Sequence, residues 1–153
     1  MTPARRRLYL MRHARVRYFE GLDPEQVVLT EEGRTQAEAA ARALQAVPFD
    51  RALPELEALL ADGSWDVLLL VLHGGVNRAI LSYALTGDRV FLGGFEQSPG
   101  CINVLDVGAD GRWIVRAVNH TPYDPAHVDA PRATTMEHLW DEYVAARSRR
   151  TAR

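Results

Sequence analysis

The stretch LYLMRHARV, residues 8–16, joins four apolar residues directly to an arginine and a histidine. A continuous apolar run without alternation is typical of a short strand that is buried on both faces, so Leu8–Met11 is predicted to form such a strand. Ligand sites of open α/β sheets lie beyond the carboxyl ends of the strands. Arg12 and His13 are therefore candidates for chemistry, although an ordinary strand that runs out into solvent would also end on polar residues.

A second apolar run ends in a comparable way. VLLLVL, residues 67–72, is followed by His73, Gly74 and Gly75 and then by a segment with helical spacing. Strand, turn and helix in this order are typical of a parallel α/β sheet. If the two strands are parallel neighbours, His73 faces His13 across one edge of the sheet, which chance strand ends would rarely produce.

The rest of the chain completes one domain, predicted to span residues 1–153. The fold class is α/β, with three α/β/α layers and a mixed, mostly parallel sheet. The other predicted elements are a helix over 30–47 with Thr30 as N-cap, a short helix over 54–63, an antiparallel hairpin of 101–107 and 112–119, and a last helix after a Thr134/Glu137 capping box.

Composition excludes several classes of protein. The chain has 153 residues and a formal net charge of −2, which gives no overall field for nucleic acid or a membrane surface. Cys101 is the single cysteine, so no internal disulfide is possible, and a reducing compartment is expected. The apolar run 67–72 is far shorter than the roughly 20 residues that a bilayer requires. A cytoplasmic protein is therefore expected, with the basic tail 147–153 as a solvated terminus.

A histidine pair beside an arginine suits phosphoryl transfer. Imidazole can attack phosphorus and hold the phosphoryl group as a covalent intermediate. The planar fork of Arg12 can bind two phosphate oxygens, and a protonated His73 offers a further charged donor. The helix beginning near Gly75 would add backbone N–H groups, with Gly74 and Gly75 allowing close approach. Paired histidines can also bind a metal ion, but the arginine beside His13 would repel a cation.

Four segments carry a family resemblance: LYLMRHA (8–14), VVLTEEGRTQAEAAARAL (27–44), VLLLVLHGGVNRAIL (67–81), and SPGCINVLDV with GRWIVRAVNHT (98–107 and 111–121). In this order they resemble the Arg-His-Gly motif at a strand end, the helix after it, the second histidine motif and the C-terminal hairpin of the histidine phosphatase superfamily, whose fold is phosphoglycerate mutase-like. The resemblance implies that His13 is the phosphorylated nucleophile, that Arg12 and His73 bind the phosphoryl group, and that no metal or other cofactor is needed.

The loop after the first motif departs from the family pattern. Ala14 replaces the usual glycine, and Arg15, Val16 and Phe19 replace the usual Glu-Thr and later Asn. These changes remove polar phosphate contacts and suggest a different substrate lining. Arg15 and Gly74 are the predicted substrate-binding residues.

A larger departure lies between about Asp50 and Leu53. A strand, a helix and the loop that bears the catalytic acid are missing there, by deletion or by omission of a segment, so the sheet is expected to be shortened at one edge. Arg51-Ala52 echoes the lost second-arginine motif only superficially, since no strand is predicted before it. The general acid is therefore unassigned: Glu20 and Glu96 are weak loop candidates that are more typical of surface residues.

Four further residues near the C-terminus match no standard metal motif, and their predicted roles are structural or exposed: His120, His127, Asp129 and His138.

Three functions are compatible with these features. The favoured hypothesis is a phosphomonoester hydrolase that works through a phosphohistidine on His13. A catalytically weakened remnant that binds a phosphorylated ligand or a partner is the first alternative, and a mutase-type phosphotransferase is the second. The expected ligand is a small phosphorylated substrate or inorganic phosphate; no nucleic acid or membrane partner is expected, and a homodimer is compatible with the sequence.

Overall fold

The computed structural model describes residues 5–18, 27–48, 51–52 and 64–151. Phe19, Glu20, Asp50, Leu53 and the helix predicted over 54–63 lie outside the described residues. In chain order the elements are β1 (Arg5–Arg12), α1 (Glu31–Leu44), β2 (Arg51–Ala52), β3 (Val67–Leu72), α2 (Gly74–Thr86), β4 (Ile102–Gly108), β5 (Trp113–His120) and α3 (Thr135–Thr151).

The strands form one mixed sheet in the order β2-β3-β1-β4-β5. β3 pairs in parallel with β1 and β2, while β4 pairs antiparallel with β1 and β5. Of the described strands, only β4 thus runs against the others, which confirms the α/β class, the mixed sheet and the predicted parallel neighbours. Because Arg12 is in register with Leu72, the residues that follow them emerge at the same edge of the sheet.

The short edge strand corrects one expectation. Arg51–Ala52 was predicted to lie in a connection, but these two residues pair in parallel with Leu68 and Leu69. An edge strand needs only one neighbour, so two residues suffice to extend the sheet without any sequence signal of their own.

The core lies between the sheet and α2. Leu8, Leu10, Leu68 and Leu70 are fully buried, and α2 adds its own buried apolar residues to the same cluster. Burial alternates along β1 and β3, and Val71 is 46% exposed. The prediction that these runs are buried on both faces is therefore wrong at Val71. Side chains alternate between the two faces of a strand, and the face away from α2 is covered less completely.

The caps predicted at the starts of the first and last helices are both confirmed. The Thr30 hydroxyl accepts from the backbone N–H of Gly33 at 2.9 Å, so α1 begins at Glu31. A Cβ on Gly33 would clash with the carbonyl oxygen of Arg15, so only glycine lets the loop after β1 lie against α1. At α3, the Glu137 carboxylate accepts from the backbone N–H and the hydroxyl of Thr134, the predicted capping box.

The hairpin of β4 and β5 is also confirmed, and a carboxylate joins it to β1. Asp106 of β4 accepts from Arg7 at 2.7 Å and from Arg116 at 2.8 Å. The hydrogen bond from Arg7, with that from Arg116, lowers the pKa of Asp106, so this carboxylate stays charged between three strands. Within the described residues, no helix combines the length and the hydropathy of a membrane span.

Candidate active site

The backbone of His13 is held on two sides where β1 ends. Its N–H donates to the carbonyl of Leu72 at 3.0 Å, and its carbonyl accepts from the N–H of Gly100 at 3.2 Å. Both bonds continue the ladders that β1 makes with β3 and β4. The nucleophile that the sequence predicts is therefore fixed by the sheet itself.

The imidazole of His13 has a partner at each nitrogen. Nδ1 lies 2.9 Å from the carbonyl oxygen of Ala14, and Nε2 lies 3.2 Å from the hydroxyl oxygen of Tyr18. A carbonyl oxygen can only accept, so Nδ1 carries the proton, and the lone pair of the neutral ring is on Nε2. His13 also lines a cavity, so this ring is accessible to a ligand.

The surroundings of His13 favour its uncharged form. Burial lowers the pKa of this imidazole, and the positive charges of Arg12 and His73 act in the same direction, against the opposing effect of the Ala14 carbonyl. A neutral ring, with its lone pair available, therefore persists to lower pH than in an ordinary histidine.

His73 stands beside His13 in a different environment. It is the N-cap residue of α2, which begins at Gly74, one residue before the predicted start. Its side chain makes no capping hydrogen bond and is exposed. The ring centroids of His73 and His13 lie 4.9 Å apart with an interplanar angle of 70°. The structure thus brings together the two histidines that the sequence paired, and leaves the second one accessible.

Arg12 is a buried cation with few partners. It is 6% exposed, and Nη1 donates to the backbone carbonyl of Gln97. Its Nε is buried and has no hydrogen-bond partner among the residues that the structure describes. Burial lowers the pKa of Arg12, while Cys101, Tyr18 and Glu96 act in the opposite direction. Burying a guanidinium that is incompletely paired is costly, and an anion at this position would offset that cost.

The glycines after His73 are not required by packing. A Cβ on Gly74 would lie 3.6 Å from Cδ and Nε of Arg12, which is an ordinary contact. A Cβ on Gly75 would meet nothing within 4 Å. Packing within the protein therefore does not explain why these two residues are glycines. The open space beside Gly75 leaves the N-terminus of α2 accessible to an anion.

Arg15 lines the cavity, but its guanidinium is already in use. Nη1 lies 2.9 Å from a carboxylate oxygen of Glu32 on α1, and Nη2 lies 2.9 Å from one of Glu142 on α3. Its backbone N–H donates to the side chain of Gln36. This predicted substrate-binding residue thus joins two helices at the cavity wall, whereas Arg12 is the cation beside His13.

The cavity has a volume of about 730 Å³. Its wall includes the loop after β5 and the inner side of α3, and three residues predicted to be structural or exposed lie there: His127, Asp129 and His138. His120 is exposed and is not among the lining residues. No group of histidine, cysteine or acidic side chains suited to a metal ion occurs within the described part of the chain.

Two lining residues carried no usable sequence signal. Tyr18 is a loop residue five positions after His13, and nothing in its spacing indicates the contact with Nε2. Glu96 was considered a surface residue, but its carboxylate accepts from the backbone N–H and the hydroxyl of Thr135 and lies 3.6 Å from Arg78. It therefore fixes the start of α3 against the cavity.

Comparison with known proteins assigns the family. The sequence model of the histidine phosphatase superfamily (branch 1) matches residues 8–53 and 49–121. The chain belongs to this superfamily. Membership supports a hydrolase of the histidine phosphatase type. The two matched pieces meet at 49–53, where the sequence indicated a lost segment. No curated protein matches the chain significantly.

Solved structures confirm the phosphoglycerate mutase-like fold. The alpha-ribazole phosphatase of Shigella flexneri is 17% identical with a TM-score of 0.61, over 74% of this chain and 96% of that one. A Nakamurella multipartitia protein described as phosphohistidine phosphatase SixA is 19% identical with a TM-score of 0.59, over 78% of this chain and 99% of that one. At these identities the likeness establishes the fold alone.

Proposed function

We propose that this protein hydrolyses small phosphomonoesters through a phosphohistidine formed on Nε2 of His13. The observation that carries the proposal is a buried, incompletely paired guanidinium adjacent to a histidine whose lone pair is on the cavity side. Arg12 can accept an anion at little further desolvation cost, and His13 can attack it. Among common biological anions, the phosphoryl group is the one that a histidine nucleophile can both accept and release.

The phosphoryl oxygens would be bound by three elements. Arg12 supplies a planar fork, His73 supplies an exposed imidazole 4.9 Å from the nucleophile, and α2 supplies the N–H groups of its first turn near Gly75. These donors are fixed by the sheet and by α2 before substrate arrives. Such preorganised positive groups stabilise the charge that spreads over the phosphoryl oxygens in the transition state.

The reaction then has two steps. The Nε2 lone pair of His13 forms a bond to phosphorus as the ester P–O bond breaks, and the leaving oxygen takes up a proton and departs as an alcohol. Water next attacks phosphorus, the N–P bond breaks, and inorganic phosphate and the neutral imidazole are released. Ala14 orients the ring through both steps, because its carbonyl keeps the proton on Nδ1.

Labelling of the protein tests this function directly. Incubation with 4-nitrophenyl phosphate labelled at phosphorus, followed by an alkaline quench, should leave acid-labile phosphate on the wild-type chain and none on His13→Asn. His120→Asn is the matched control: this exposed histidine is not among the lining residues, so labelling should be unchanged. Phosphate binding by the wild type with no label and no turnover would overturn the hydrolase and favour the weakened phosphate-binding remnant.

A further inference from the structure

Tyr18 touches the reacting atom of the proposed nucleophile. Its hydroxyl oxygen lies 3.2 Å from Nε2 of His13, and the two rings meet edge to face with centroids 6.3 Å apart. Because Nδ1 of His13 donates to Ala14, Nε2 can only accept, so the phenolic O–H of Tyr18 is the donor. A proton is therefore held on the line along which phosphorus must approach His13.

We propose that Tyr18 is the general acid that protonates the leaving oxygen, an inference that rests on the proposed hydrolase function. In an in-line displacement, the leaving oxygen departs on the far side of phosphorus from Nε2. When a phosphoryl group occupies the position of the Tyr18 hydroxyl beside His13, it displaces Tyr18 outward along the same line. The phenol then meets the leaving oxygen instead of the nitrogen that it contacts in the free protein.

The proton balance closes over the two steps. As the N–P bond forms and the P–O bond breaks, the phenolic proton passes to the leaving oxygen, which departs as an alcohol, and Tyr18 becomes a phenolate. In the second step the phenolate takes a proton from the attacking water, the new P–O bond forms, and the N–P bond breaks. An alkoxide is a much stronger base than a phenolate, so the first transfer is downhill for alkyl esters.

The position of Arg12 favours this role. Arg12 and Tyr18 interact electrostatically, with an ionised Tyr18 raising the pKa of the guanidinium. A positive charge beside a donor that becomes an anion lowers the barrier for the transfer.

The carboxylates of the cavity are less suited to donate. Glu32 and Glu142 are ion-paired with Arg15, and Glu96 lies 3.6 Å from Arg78, so each of the three already has a cationic partner. The oxygens of Asp124 accept from backbone N–H groups of its own loop. Asp129 is the remaining acidic lining residue of the described wall, and the test must separate it from Tyr18.

Leaving-group dependence separates these donors. Tyr18→Phe should reduce kcat/KM for an alkyl substrate such as glycerol phosphate by about 100-fold or more, because its alcohol must be protonated to leave. With 4-nitrophenyl phosphate, whose leaving group needs no acid, the loss should stay within about threefold. Asp129→Asn should show no such selectivity. Tyr83→Phe is the matched control, since it removes the same hydroxyl from an exposed tyrosine of α2 outside the cavity lining.

The pH profile gives a second readout that a merely structural tyrosine would not move. For the alkyl ester, the wild-type kcat/KM should fall at alkaline pH as the acid loses its proton, and this limb should be absent in Tyr18→Phe. Equal losses on both substrates, or selectivity in Asp129→Asn instead, would overturn the role of Tyr18 while leaving His13 labelling intact. Failure of the wild type to label His13 would overturn both proposals.

Discussion

The ends of β1 and β3 look alike in sequence but differ in structure. Each is an apolar run with a histidine at its end, directly after the run in β3 and after Arg12 in β1. Both histidines lie at the same edge of the sheet. His13 is held through its backbone by two strands and through its ring by Ala14 and Tyr18. His73 is exposed, and its side chain makes no capping bond at the start of α2.

Under the proposed function, this difference gives the two histidines different tasks. A nucleophile must present one nitrogen with its lone pair in a fixed direction, which the contacts of His13 ensure. A phosphate donor must instead reach the phosphoryl oxygens, and the exposed ring of His73 beside His13 suits that second task.

The strongest test of this comparison is to remove the imidazole of each histidine in turn. His13→Asn should lower kcat for 4-nitrophenyl phosphate by at least about 10⁴-fold, because no nucleophile remains. His73→Asn should lower it by about 10²- to 10³-fold, the usual effect of losing one preorganised donor, and should still form the phosphorylated protein.

Steady-state kinetics with labelling of both variants checks this order. Circular dichroism of each variant shows whether the fold is retained. A larger loss in His73→Asn than in His13→Asn, or label that survives in His13→Asn, would reverse the assignment of the two rings.

The two arginines near the cavity offer a second comparison with smaller expected effects. Arg12→Gln should lower kcat/KM by about 10²-fold or more, because a charge-assisted fork on the phosphoryl group is lost. Arg15→Gln should change kcat/KM by less than about tenfold. It should destabilise the fold by about 1 kcal/mol or less, because its two ion pairs with Glu32 and Glu142 are partly exposed.

Steady-state kinetics together with urea unfolding distinguishes an effect on kcat/KM from an effect on stability in the two variants. If Arg15 bound the substrate, as the sequence analysis predicted, Arg15→Gln would raise KM as strongly as Arg12→Gln. That outcome would mean that substrate displaces Glu32 and Glu142 from Arg15.

The sequence predicted the contacts that follow from local order and strand pairing. Apolar runs, caps and the hairpin turn are local signals, and the parallel pairing of β1 and β3 then brings His13 to His73. The position of Arg12 could be predicted in the same way, because a residue at the end of a buried strand is placed by the strand itself.

The cavity wall could not be predicted in the same way. Arg15 pairs with Glu142 across 127 positions, and Glu96 contacts Thr135 across 39, so no local pattern links either pair. These contacts bring α3 against the site and place His127, Asp129 and His138 in its wall, although their spacing alone indicated surface residues. Tyr18 escaped prediction because loop residues take their direction from tertiary packing rather than from periodicity.

The smallest expected effect is a shift in the titration of His13, and it sharpens the contrast with an ordinary histidine. Burial, with Arg12 and His73 adding to it, lowers the pKa of this ring, so its midpoint in the folded protein should lie below the value of about 6.5 typical of unperturbed histidine. The pKa of His13 is lower in the folded protein than in the unfolded chain. The contribution of His13 to the free energy of unfolding is therefore fully present above the unfolded pKa and is lost as pH falls through the folded pKa.

Two-dimensional NMR of the imidazole signals measures this midpoint, with the His13 signal identified by its loss in His13→Asn. The same titration in urea supplies the unfolded reference. A folded midpoint above pH 7 would mean that His13 is largely protonated at neutral pH. Nε2 would then carry a proton rather than a lone pair, Tyr18 could not donate to it, and the ring would be an anion-binding cation instead of a nucleophile.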